Sequence, residues 1–174
     1  SLGDAGSTVV VEDFVEGFEI TALAVTDGTA IRLLPLSQDH KRAYDGDRGP
    51  NTGGMGAHAP VPWSTEELVA RIQREVLEPT LEGLRAEGIP YCGVLYAGLM
   101  LAPDGGLSVL EYNVRLGDPE AQEVLPVFGG DWLDLVLHCL RGDLASYPWP
   151  KPRGHALGVV LASEGYPEAP RTGD

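Results

Sequence analysis

The chain has 174 residues, a formal net charge of −14 at pH 7 and an apolar fraction of 43%. That length accommodates one domain, or one domain plus part of another, and the apolar fraction excludes wholesale disorder. A chain this acidic is not expected to bind nucleic acid or an anionic membrane, partners that demand a basic surface, and no run approaches the roughly 18 apolar residues of a membrane span.

The start, Ser1 to Ser7, is small and polar and reads as a loop without a signal-peptide pattern, so a cytoplasmic location is expected. Thr8 to Val15 (TVVVEDFV) is strongly β-forming, and Phe18 to Thr26 follows after Glu16-Gly17. Asp27-Gly28 is a hairpin signal with Ala30 to Leu36 as the return strand, so an antiparallel sheet is expected. From Ser37 to Ala59 periodicity disappears into a long Gly-, Asp- and Asn-rich segment, and loops of that length within compact domains are usually functional or disordered. Ser64-Thr-Glu-Glu67 has the capping-box pattern and opens a helix carrying Leu68, Ile72, Val76, Leu81 and Leu84, which Pro79 should kink or split.

Tyr91 to Leu101 reads as a strand, Pro103 to Gly106 as a turn, and Leu107 to Arg115 as the antiparallel partner. Pro119 starts a helix lasting to about Leu125, and Asp131 is the expected N-cap of another over Trp132 to Leu140. The proline-rich Tyr147 to Pro152 reads as a linker, and His155 to Ala162 begins a new β run. The expected organisation is α+β: a mainly antiparallel sheet backed by helices over residues 1–150, then a linker and the start of a further domain over 151–174. Cys92 and Cys139 sit in apolar runs and read as buried thiols of a reducing compartment, with a disulfide possible.

Side chains alternate along a strand, so Glu111, Asn113 and Arg115 fall on one face, spaced about 6.6 Å apart, with Val109 beside them. Leu110, Tyr112 and Val114 take the other face. A carboxylate, an amide carbonyl and a guanidinium suit a hard cation beside a phosphate. Equally, they suit a solvated strand face with cross-strand ion pairs.

Two further constellations stand out. Backbone groups of Glu12 and Val15 offer an edge that can read adenine, and the Glu19 carboxylate can accept from ribose hydroxyls, or Glu19 is merely the polar side of an alternating strand. Asp39-His-Lys-Arg42 lies near Gly49-Pro-Asn-Thr-Gly-Gly-Met-Gly56, where glycine amides can approach an anion and form a nest, with Lys41, Arg42 and Arg48 as countercharge. An acidic protein that concentrates its bases beside a glycine-rich loop has a local reason to do so. The loop is not a Walker A sequence, and the four histidines show no mutual metal-ligand spacing.

The ordered motifs SQDHKR, GPNTGGMGA, LYAGLM, LEYNVRLGDPE and GYPEAPRTGD, spanning about Val9 to Asp174, resemble the ATP-grasp part of the glycinamide ribonucleotide synthetase (phosphoribosylamine–glycine ligase) family. The resemblance implies an ATP-grasp lobe and ATP-dependent joining of glycine to 5-phosphoribosylamine through a glycyl phosphate, in de novo purine synthesis. It implies ATP and Mg²⁺ or Mn²⁺ as cofactors, with Glu111 and Asn113 as metal ligands and Asn113 also at the nucleotide. Glu12, Val15 and Glu19 match the adenine and ribose positions, and Arg115, Lys41 and Arg42 the catalytic cations. Asp39, Asp47, Gly49, Pro50, Asn51, Thr52, Gly53 and Gly54 match the substrate-facing segment. Family members are more than twice as long, so the chain is expected to lack a preceding substrate domain and the first ATP-grasp lobe, and to be nearly inactive alone, the full-length protein being a monomer. Two other readings are a different ATP-grasp carboxylate–amine ligase and a non-catalytic truncated binding module.

Overall fold

The computed structural model describes residues 6–173. The expected polar start lies outside the described residues up to position 5, as does Asp174. At the centre is a four-stranded antiparallel sheet in the order β2-β1-β7-β8, formed by β1 (Phe18–Thr26), β2 (Ile31–Leu33), β7 (Gly93–Leu101) and β8 (Leu107–Asn113). Alternation along β1 sends Ile20, Ala22 and Ala24 to one face, where Leu95, Ala97 and Leu99 of β7 join them. Helix α1 (Glu66–Ile72) and helix α2 (Glu78–Ala86) cover that face with Leu68, Ile72 and Leu81.

Leu23, Val25 and Tyr96 go to the opposite face and meet Val124, Val127 and Phe128 of α3 (Glu120–Phe128) and Leu135 of α4 (Trp132–Arg141). The expected α+β architecture, an antiparallel sheet backed by helices, is therefore what forms. Burying these branched side chains on both faces removes about 25 cal/mol of unfavourable hydration per Å² of apolar surface.

Several local expectations change. Thr8–Val15 forms no strand: among the described residues it pairs with no other segment, and Val9, Val10, Val11 and Phe14 are exposed. β propensity records a fit to a half-buried pleated surface and does not supply the partner. The aperiodic Ser37–Ala59 is instead built from β3 (Gln38–Asp39), β4 (Arg42–Tyr44), β5 (Arg48–Asn51) and β6 (Gly56–Ala59). Strands of two to four residues are too short to show a period.

The first helix is capped by Thr65, one residue beyond the expected Ser64; Thr65 Oγ1 accepts from Leu68 N at 3.1 Å, while Ser64 Oγ donates to Val61 O. A π-helical turn, Gln73–Leu77, separates α1 from α2 immediately before Pro79, so the ladder widens where the proline lacks its N–H. Helix α3 runs three residues past Leu125 despite Pro126, and Asp131 caps α4 as expected, accepting from Asp134 N at 3.1 Å.

The proline-rich stretch is packed against the core: Tyr147 is buried, and Trp149 meets Phe128 edge-on with ring centroids 5.2 Å apart. Beyond it, β9 (Ala156–Val159) pairs with β6, giving a three-stranded sheet β3-β6-β9. Both cysteines are free; Cys139 is buried and its thiol is pushed up to about 11 by burial, but Cys92 is exposed rather than buried.

Candidate functional site

The ladder between β7 and β8 is interrupted by a bulge. Gly98 faces Glu111 and Leu99 faces Val109, so Leu110 is the extra residue. Cross-strand partners share a face. Glu111 therefore lies with Gly98 and Thr21, and Asn113 with Tyr96 and Leu23, on the α3 side. Val109 shares the α1–α2 side with Leu99 and Ile20, and not the face of Glu111 as alternation by count alone predicts. Glu111 and Asn113 stay together: Asn113 Nδ2 donates to Glu111 Oε1 at 3.3 Å. Arg115 lies two residues past the strand end, exposed, with Nη1 donating to Leu116 O at 2.9 Å.

Glu19, at the start of β1, pairs with Lys41, so one of the oxygens expected to accept from a ribose is held by an ammonium. Burial works to lower the Lys41 pKa, but the hydrogen bond and charge of Glu19 and the charges of Asp39 and Glu111 leave it raised. The same field brings Lys41, Glu111, Asp39 and Glu19 into one electrostatic cluster.

Asp39 is buried, and burial, followed by the charge of Glu120, pushes its carboxyl up to about 7 against the opposing pull of Lys41. Its Oδ1 has no hydrogen-bond partner. Gly54, at φ +113°, lies against it: a Cβ there would come within 2.8 Å of Oδ1 and 2.6 Å of Pro119 Cδ. Only glycine fits both that backbone and that gap.

Arg42 turns to its own hairpin, Nη1 donating to Gly49 O at 2.8 Å. Asp47, at φ +56°, is exposed in the turn between β4 and β5, and Pro50 and Asn51 are exposed on β5. The glycine-rich segment is not an open nest of amides. Thr52 N donates to Lys41 O, Gly53 N to Tyr166 Oη, Gly54 N to Thr52 Oγ1 and Met55 N to His40 O. Glu12 is exposed and Val15 half-buried, in the segment without a strand partner.

Several contributors escape sequence reasoning. Thr21 Oγ1 and Tyr96 Oη both donate to Glu120 Oε1, at 3.0 and 2.8 Å, all three being buried. Glu120 belongs to the LGDPE motif and Tyr96 to LYAGLM, which are the available signals; Thr21 lies in an ordinary β run and carries none. Tyr166, within GYPEAP, is the other. His40 Nε2 and His58 Nδ1 meet at 3.0 Å, a pairing set by the β3–β6 register and not by sequence spacing.

Glu111 and Asn113 offer hard oxygen donors, and among the described residues no cluster of three or more His, Cys, Asp or Glu forms that would hold a metal ion. A two-donor set on an exposed strand end fits a cation that takes most of its ligands from phosphate and water, as Mg²⁺ does. An open groove of about 820 Å³ lies elsewhere, between β2, α1, α2 and Trp149, and none of the expected site residues lines it. No helix among the described residues is long and apolar enough to cross a membrane.

Residues 1–121 match the family model for the phosphoribosylglycinamide synthetase ATP-grasp (A) domain. The chain belongs to that family. It is 51% identical over 173 residues to the phosphoribosylamine–glycine ligase of Caulobacter vibrioides, and 52% identical over 172 residues to that of Allochromatium vinosum; each alignment covers 99% of this chain and 40% of the relative.

The crystal structure of the phosphoribosylamine–glycine ligase of Thermotoga maritima superposes with a TM-score of 0.80 at 43% identity, over 92% of this chain and 40% of that one. The biotin carboxylase domain of a single-chain bacterial carboxylase, TM-score 0.62 at 18% identity, shares the fold. The chain thus spans about two-fifths of the length of its curated relatives.

Proposed function

We propose that this chain is the ATP-grasp lobe of a phosphoribosylamine–glycine ligase, in which Glu111 and Asn113 hold a divalent cation, Mg²⁺ or Mn²⁺, against the phosphates of ATP. The observation that carries the reading is the bulged end of β8, which sets the Glu111 carboxylate, in the field of Lys41, beside the Asn113 side-chain amide at the start of the turn that carries Arg115. Family membership gives that arrangement its chemistry.

In the reaction proposed for the intact protein, a glycine carboxylate oxygen attacks the γ-phosphorus of ATP, ADP leaves, and glycyl phosphate forms. The amine of 5-phosphoribosylamine then attacks the acyl carbon, the C–O bond to phosphate breaks, and the amine proton passes to solvent or phosphate. When bound, the cation would offset phosphate charge during transfer.

This chain's own residues bind and orient. Arg115 presents a planar donor fork to the anion that develops at the transferred group, and Lys41, steered by Glu19, supplies a second positive charge. Arg42 is placed to steady the hairpin through Gly49. The segment Asp47 to Gly54, with Asp39 beneath it, faces glycine and the ribosyl phosphate, while Glu12, Val15 and Glu19 border the adenosine. No side chain need become covalently modified, because positioning and electrostatics suffice for phosphoryl transfer. In this reading the protein acts as a cytoplasmic monomer on small molecules alone.

Calorimetric titration of ATP or ADP with Mg²⁺, and in parallel with Mn²⁺, tests the site. Metal-dependent binding lost in Glu111→Ala with Asn113→Ala supports it, whereas binding indifferent to that double substitution sinks it. A substrate screen of the intact ligase, coupled to ADP release, separates glycine with phosphoribosylamine from the substrate pairs of other ATP-grasp ligases.

A further inference from the structure

The bonds that shape the glycine-rich segment come almost entirely from its own neighbourhood. Lys41 O, Thr52 Oγ1 and His40 O take the amides of Thr52, Gly54 and Met55, all within the β3–β6 stretch. The Gly53 amide is different, donating to Tyr166 Oη at 2.9 Å across more than a hundred positions of sequence. Tyr166 is itself held in a compact turn: Tyr166 N donates to Ser163 O at 3.3 Å, Ala169 N to Gly165 O at 2.8 Å and Arg171 N to Glu164 O at 2.9 Å.

The turn is anchored to the body by β9, whose ladder with β6 continues into the bond from Val160 N to Met55 O. A Cβ at Gly53 would stand 3.3 Å from the Tyr166 hydroxyl, so ring and loop are in close apposition. Between β5 and β6, the Gly53 amide is thus tied to the C-terminal turn by one phenol.

We propose that Tyr166 is a positioning residue of the substrate-facing loop, its hydroxyl fixing Gly53 so that the segment from Asn51 to Gly54, whose amides at 52–54 are already engaged, holds the exposed Asn51 side-chain amide in one geometry towards an anionic oxygen of a substrate, a carboxylate or a phosphate. This rests on the function proposed above. The hydroxyl acts through the loop and takes no part in bond making. Replacing it by hydrogen leaves ring packing intact and frees the Gly53 amide. The loop then samples several conformations, and substrate binding selects one at a cost of about fivefold in apparent affinity, the worth of one ordinary hydrogen bond.

The test is Tyr166→Phe, read in two ways. Amide hydrogen exchange in this chain should show Gly53 protected in the wild type and exchanging about fivefold or more faster in the variant, with Thr52 and Met55 unchanged. An unprotected Gly53 in the wild type overturns the tie itself, whether or not the variant folds.

Steady-state kinetics of the intact ligase carrying the same substitution should show KM for glycine or for phosphoribosylamine raised about fivefold, with KM for ATP and kcat unchanged. Whichever KM moves identifies the carboxylate or the phosphate as the oxygen served. Unchanged parameters make the bond purely architectural and overturn the proposal, and a lowered KM overturns it too, by showing that the hydroxyl competes with substrate. A wild-type ligase without glycine-dependent turnover would instead remove the proposed function, a result distinguishable from either of these.

Discussion

Tyr96 of β7 donates its hydroxyl proton to Glu120 at the first residue of α3, 2.8 Å away, on the face of the sheet that also carries Glu111 and Asn113. Thr21 donates to the same oxygen from β1. Three elements therefore converge on one carboxylate, and the turn between Asn113 and Glu120, which carries Arg115, is pinned at both ends. Burial is the main reason the Tyr96 phenol is raised well above its ordinary value.

Tyr96→Phe should cost about 1–2 kcal/mol in urea denaturation, because it takes a donor from a buried carboxylate. Thr21→Val should cost a similar amount. The double variant should lose less than the sum, since the two donors share one acceptor oxygen. Strict additivity would show that the two bonds are independent.

Asp39 gives a pH dependence with a definite sign. Its carboxyl titrates near 3.8 in an unfolded chain and at about 7 in the fold. Between those values the folded state holds a proton that the unfolded state has released, so raising the pH favours unfolding. The contribution is fully present below about 4 and has gone above about 7. Asp39→Asn should flatten this part of the stability profile measured by denaturation at successive pH values; a profile as steep as wild type would assign the dependence to another group.

Backbone contact makes a third test. A methyl group at Gly56 would collide with the carbonyl oxygen of Gly158, its neighbour in the β6–β9 ladder, and Gly56 also sits at φ +154°. Neither partner is a flexible side chain that can move aside. Gly56→Ala should destabilise by about 2 kcal/mol or more and speed exchange at Val160, whose amide bonds to Met55 beside it.

At the end of α4, Asp131→Ala should cost about 1 kcal/mol in thermal or urea unfolding, the usual worth of an N-cap carboxylate. Asp131→Ser should recover most of it. A Ser variant as weak as Ala would mean that the cap bond to Asp134 is not what stabilises this terminus.

Much of the scaffold is legible in the sequence, and the reasons are local. Phe18–Thr26 is a β-forming run that ends in Asp27-Gly28, whose aspartate accepts from Thr29 N and Ala30 N as turn chemistry predicts. Asp131 announced its helix in the same way. Thr8–Val15 looked equally convincing and failed, because a strand requires a partner edge and propensity does not say where one is. The bulge at Leu110 was invisible for a related reason: an extra residue is defined against the opposite strand, so counting by twos carried Val109 to the wrong side.

Among the candidate site residues, Glu111 and Asn113 are neighbours by strand geometry, which counting by twos predicts. Lys41 with Glu19, Glu120 with Tyr96 and Thr21, and Gly53 with Tyr166 are long-range pairings that only the tertiary fold creates. Even the nest reading of the glycine-rich segment turned on this, since whether its amides are open depends on which distant groups accept from them.

The β6–β9 pairing carries a consequence for the order in which the molecule is completed. Gly56 and Val159 stand side by side but are separated by roughly a hundred residues of chain. Closing so long a loop is entropically costly and slow compared with local hairpins. During synthesis the Asp27-Gly28 hairpin can form as soon as it emerges, while the glycine-rich segment, made only a few moments later, has no partner for β6 until residues near 160 appear. The glycine-rich segment is thus made roughly a hundred residues before the strand that secures it, so a ribosome that stalls after α4 leaves the sheet and its helices in place with that segment still unfastened.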